Sequence, residues 1–155
     1  MADPIRPAGP SPNVARARRL LAGGAIGGHV ALLIAVTAFG LAGGVAGAIS
    51  AALAGILTVA FFTIGQAVQI LVADADPRTV LFASLVSYIA RVGGLGALLA
   101  LALSNAEKLT SMNTTAVAAT TIVVVLGWLG AEIWVFSRLR LPVFDETERG
   151  SNTPT

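Results

Sequence analysis

"LLAGGAIGGHVALLIAVTAFGLAGGVAGAISAALAGILTVAFFTIGQAVQILVA", residues 20–73, contains no Asp, Glu, Lys or Arg. Drawn out as one straight helix, those 54 residues would extend about 80 Å, against a hydrocarbon core of about 30 Å. One span cannot absorb that length, but two can if the chain turns near the centre. "FGLAGG", Phe39–Gly44, offers the turn, because Gly40, Gly43 and Gly44 weaken a helix there. The stretch therefore predicts two membrane spans, at about 20–40 and 45–72.

The rest of the chain has the same character. Of its 155 residues 55% are hydrophobic and only 12% charged, and the mean hydropathy is +0.83. Soluble domains carry about twice that share of charge, so the composition predicts an integral membrane protein. There is no Cys, which excludes disulfides, thiolate metal sites and thiol nucleophiles.

Past the first two spans, "DADPRT" interrupts, with Asp76 placed as an N-cap ahead of Pro77 in the first helical turn. A third span is predicted at about 80–103. "SNAEKLTSMN" reads as a polar loop, with Ser111 or Asn113 as cap of a fourth span at about 114–136. The expected architecture is all-α: an integral membrane four-helix bundle of two hairpins, its membrane domain covering 18–140. Residues 1–17, Pro-rich and then basic, and the tail 141–155 are expected to be disordered.

Charge sets the orientation. With the N-terminus inside, Arg6, Arg16, Arg18, Arg19, Arg78, Arg138, Arg140 and Arg149 fall on the inner side and only Lys108 outside. The positive-inside rule then places both termini in the cytoplasm. Arg18-Arg19 ahead of an apolar run also has the layout of a cleaved or twin-arginine signal. The segment beyond that run, however, is a second long span and not a soluble mature domain. The basic N-terminus is explained by topology and anionic lipid, without nucleic acid.

Small residues at intervals of four recur along the first two spans: Gly23/Gly27, Gly24/Gly28, Gly40/Gly44 and Gly43/Gly47, extended by Ala51 and Gly55. Such spacing lets backbones approach where lipid supplies no hydrophobic drive for association. It serves either packing of spans one and two on each other or a face left open for another membrane helix.

Arg91 in "SLVSYIARVGGLGALLALALS", residues 84–104, stands alone as a charge in a span, which is costly in hydrocarbon. Counted from the cytoplasmic side, Arg91 lies about 16 Å deep, Glu132 about 6 Å and His29 about 14 Å. An arginine side chain reaches several ångströms toward the interface, and helices joined by a short loop are usually neighbours. The expectation is one inner-leaflet polar cluster of His29, Gln66, Gln69, Tyr88, Arg91 and Glu132, centred on an Arg91–Glu132 ion pair. It would either tie the helices together or form an ion path or docking point.

No transition-metal site is expected with one His and no Cys. Asp74 and Asp76 are weak candidates for a hydrated Mg²⁺ or Ca²⁺, although capping explains Asp76 without one. No cofactor is expected. "GGAIGG" and "GGLG" lack the Lys and strand context of a phosphate-binding loop, and no Asp lies inside a span, so catalysis is not expected.

A basic N-terminal stub, the hairpin "GGAIGGHVALLIAVTAFGLAGGVAGAISAALAGILTVAFFTIGQ", the central "SYIARVGG" and the last span "TSMNTTAVAATTIVVVLGWLGAEIWVFSRLRLPVFDE" together resemble the ATP synthase protein I family, in its high-GC actinobacterial form. The resemblance covers residues 18–146. It implies a small four-helix protein that helps assemble the c-subunit ring of the F-type ATP synthase, with c subunits or other membrane-sector subunits as partners. A role in Mg²⁺ or Ca²⁺ supply is the other function proposed for that family. The residues themselves also admit a small cation or proton transporter, or a purely structural membrane protein.

Overall fold

The computed structural model describes residues 9–104 and 112–139. The N-terminal residues 1–8, the loop 105–111 with Lys108 and Ser111, and the tail from 140 onward lie outside the described residues. Among the described residues the fold is all-helical: α1 (Pro12–Leu71), α2 (Pro77–Ser104) and α3 (Thr114–Arg138). Each is long and apolar enough to cross a membrane. These are three helical segments where four were expected, because the first two expected spans are continuous apart from one residue.

That residue is Gly44, with φ 63° and ψ −153°, and it carries the reversal that was expected over Phe39–Gly44. Positive φ costs an L-residue roughly 1–2 kcal/mol and glycine little, so the break falls where the sequence can tolerate it. The two arms of α1 then fold against each other, and their contacts run in opposite numerical order. Gly47 backs onto the carbonyl of Phe39, and Gly55 onto Leu32. At the far end, the Ser11 hydroxyl donates to Asp74 at 2.7 Å, where the hairpin's two ends meet.

The first arm starts earlier than the expected span. Ser11 caps it by accepting from the Val14 amide, Pro12 occupies the first turn, and Arg16, Arg18 and Arg19 are helical. Asp76 caps α2, accepting from the amides of Arg78 and Thr79 at 3.0 and 3.1 Å. Asn113 caps α3 through the Ala116 amide, and its own N–H donates to Ser50 of the second arm at 2.9 Å.

The neighbours of α3 differ from expectation. It packs in the trough between the two arms of α1 and scarcely touches α2, although only nine residues separate α2 from α3 in the sequence. Glycine is the reason. A Cβ on Gly127 would lie 2.9 Å from the Gly27 carbonyl and 2.6 Å from the Ala31 methyl, so only hydrogen permits that approach. Gly24 and Gly28 leave a recess filled by Trp128, which is 0% exposed and meets the Phe62 ring of the second arm at a 49° tilt, 5.4 Å between centroids. Backbone-close packing supplies the attraction that lipid does not, and it outweighs nearness along the chain. Helix α2 lies outside this three-stranded core and holds to the second arm through a hydrogen bond from Ser87 to the Gly65 carbonyl at 3.2 Å.

Trp128→Ala is expected to cost about 3–5 kcal/mol, as large-to-small changes at packed sites do. Gly130→Leu points into open space and is expected to stay within about 0.5 kcal/mol of the parent protein. Unfolding by SDS titration from mixed micelles measures both.

Candidate functional site

Six residues were expected to form one polar cluster, and the structure divides them. Gln66, Gln69, Arg91 and Glu132 line one open cavity of about 290 Å³, together with Leu20, Ile133 and Phe136. His29 is exposed on the outer surface of the first arm, where its Nδ1 is bonded within its own helix to the Ala25 carbonyl at 2.7 Å. Tyr88 is 65% exposed on the outer side of α2. Neither lines that cavity.

Within the cavity the pairing also differs. Glu132 accepts a hydrogen bond from Gln66 Nε2, which ties α3 to the second arm. Gln66 is almost fully buried, so this bond satisfies an amide that has little access elsewhere. Arg91 and Glu132 share the cavity, but among the described residues they form no ion pair. Arg91 is held by α2, which stands outside the core, while Glu132 is held by α3 within it.

Arg91 rests on the second arm instead. Its Cζ lies 5.1 Å from the centroid of the Phe62 ring, a cation–π contact. Its guanidinium also lies flat against Gly65, where any Cβ would collide with Nε. Gly65 is not distinguished by sequence, because it belongs to none of the small-residue series. The only signal is its place one position before Gln66. Nε and Nη2 of Arg91 are buried and have no hydrogen-bond partner among the described residues. Arg91 also borders two further cavities: an apolar one of about 430 Å³ between the second arm and α2, and one of about 280 Å³ opening toward Thr121 and Val125 of α3.

The small-residue series lies within the molecule. Gly47 and Gly55 face the first arm, Ala51 is 0% exposed, and a Cβ on Gly43 would lie 3.2 Å from the side-chain nitrogen of the Asn113 cap. Gly23, Gly24, Gly27 and Gly28 chiefly seat α3, and Gly28 also meets Val59 of the second arm. These positions are occupied by the protein itself.

The two aspartates are engaged elsewhere. Asp74 accepts from Ser11 at 2.7 Å and from Asn13 at 3.4 Å, and Asp76 caps α2. Among the described residues no three His, Asp or Glu side chains come together as metal ligands. The Thr79 hydroxyl, then the Thr79 and Arg78 amides, stabilise the charged Asp76 carboxylate and hold its pKa below the usual 3.8.

What this site and fold define, over the described residues, is a helical membrane protein with a half-buried arginine between its helices, two of whose nitrogens lack acceptors there. No protein-family model, curated protein or solved structure matches the chain.

Two measurements probe the site. Gly65→Ala should destabilise the protein by displacing the guanidinium, and Arg91→Ala should relieve that loss. A double-mutant cycle on detergent melting is expected to give a coupling of about 0.5–3 kcal/mol. Because the Asp76 pKa is lower in the folded state, its contribution is complete above the unfolded value of 3.8 and fades as pH falls through the lower folded value. Protection of the Arg78 and Thr79 amides, measured against their intrinsic exchange rates, should therefore fall only under acid, and Asp76→Asn should abolish that dependence.

Proposed function

We propose that this chain is a small four-crossing protein of the bacterial plasma membrane that docks helices of a partner and assists assembly of the F-type ATP synthase membrane sector, its c-subunit ring. Each arm of α1 supplies one crossing, and α2 and α3 supply the others. The Ser11–Asp74 bond brings the start of α1 to the α1–α2 connection, so Arg16, Arg18, Arg19 and Arg78 gather at one end. The positive-inside rule favours that end as the cytoplasmic one, with both termini inside.

The observation that carries this reading is Arg91. It stands about 21 Å from the start of α2 and about 20 Å from its end, close to mid-membrane. Two of its nitrogens are buried without acceptors among the described residues, and the carboxylate in the cavity it shares is engaged by Gln66. A guanidinium short of acceptors at that depth costs several kcal/mol, which an acidic group on a partner helix offsets. Helix α2 suits reversible docking, since it stands outside the core with Ile89 and Val92 exposed beside Arg91. The resemblance to the ATP synthase protein I family supports the choice of partner.

The chain has no cysteine, so one introduced at Ile89 or Val92 reports α2 alone. A cross-link to c subunits in native membranes is expected, with loss of most of the product in Arg91→Leu. Complete rings in a deletion strain together with no cross-link would overturn the proposal. The polar cavity around Gln66, Gln69, Arg91 and Glu132 favours a second reading, cation passage. Mg²⁺, Ca²⁺ or proton flux into liposomes holding the purified protein, abolished by Glu132→Gln, would favour it over docking.

A further inference from the structure

A second groove lies on the far side of α3, away from Arg91. It is bounded by the first arm and the end of α3, has a volume of about 520 Å³, and carries Arg19 and Arg138 at its mouth. Below them the lining is apolar, chiefly Ile26, Ala131 and Val135. From Arg19 to Gly27 it runs along the helix for about 12 Å. Both arginines are exposed, and among the described residues neither has a carboxylate partner. Arg138 lies over the ring of Trp134 at 5.3 Å, which holds the guanidinium at the rim, and tryptophan itself favours the membrane interface.

We propose that this groove binds an anionic phospholipid of the surrounding bilayer. The phosphate sits between Arg19 and Arg138, and one acyl chain runs along Ile26 and Val135. Charge complementarity selects this occupant: two cations at the rim, without a carboxylate partner among the described residues, match a headgroup phosphate, and the apolar trough beneath matches a hydrocarbon tail. Basic pockets between membrane helices recognise anionic headgroups in this manner. Arg is the suited residue, because its planar fork donates to two phosphate oxygens at once. The inference needs only that the chain lies in a membrane and is independent of any role in assembly.

Native mass spectrometry of the full chain released from detergent tests it, with palmitoyl-oleoyl phosphatidylglycerol and the matching phosphatidylcholine as probes. The parent protein should retain phosphatidylglycerol in preference to phosphatidylcholine. Arg19→Gln/Arg138→Gln should weaken retention roughly tenfold or more, while Arg18→Gln, on the same turn but outside the groove, should not. Ala22→Trp, which fills the trough and leaves both charges in place, should also lower retention. Inorganic phosphate should fail to displace the lipid. Arg19→Lys/Arg138→Lys should recover most binding, which separates lost charge from lost folding. Equal retention of the two lipids would overturn the proposal, as would unchanged binding in the double Gln variant. Displacement by phosphate alone, with Ala22→Trp neutral, would reduce the site to a bare anion site and overturn it too.

Discussion

Trp128 seated on Gly24 and Gly28 is the contact on which the remaining architecture depends, since it places α3 between the arms of α1. In a bilayer, lipid tails are as apolar as leucine, so burial alone holds no helix against another. What holds is dense contact, and a fully buried indole over two missing methyl groups provides a great deal of it. Phe62 completes the recess from the second arm, so one side chain joins both arms of α1 to α3. The hydrogen bonds from Asn113 to Ser50 and from Gln66 to Glu132 lie at either end of the same contact and keep its register.

Once α3 occupies the trough, α2 has no room in the core, and this fixes the placement of Arg91. Its guanidinium meets Phe62 and the bare backbone at Gly65, neither of which accepts a conventional hydrogen bond from it. Glu132 is turned toward the core by the helix that carries it and is taken by Gln66. The charge therefore stays short of acceptors because of packing elsewhere in the molecule. A cation in that state draws an acid more strongly in a medium of low dielectric than it would at a surface.

The two arginine sites differ in depth and in chemistry. Arg91 lies near the middle of α2 and faces cavities that are mostly apolar, whereas Arg19 and Arg138 flank a trough at the end where basic residues gather. Depth suits the first to a side chain on another helix and the second to a headgroup. Both sites exist because glycine draws α1 and α3 together and leaves gaps at the margins of the contact.

Much of this could be read from residue order. A charge-free run too long for one crossing, interrupted by glycines, required a hairpin, and the break at Gly44 falls inside the predicted turn. Asp76 and Asn113 were identifiable as caps because capping depends on residues within one turn of each other. Which helices touch was not readable, because loop adjacency favoured α2 beside α3 while the recess for Trp128 is assembled from residues far away in the chain. The same non-local choice separated Arg91 from Glu132, turned His29 and Tyr88 outward, and used the glycine series internally. Spacing along a chain reports which face of a helix a residue occupies. What that face meets depends on contacts that exist only after the helices have packed.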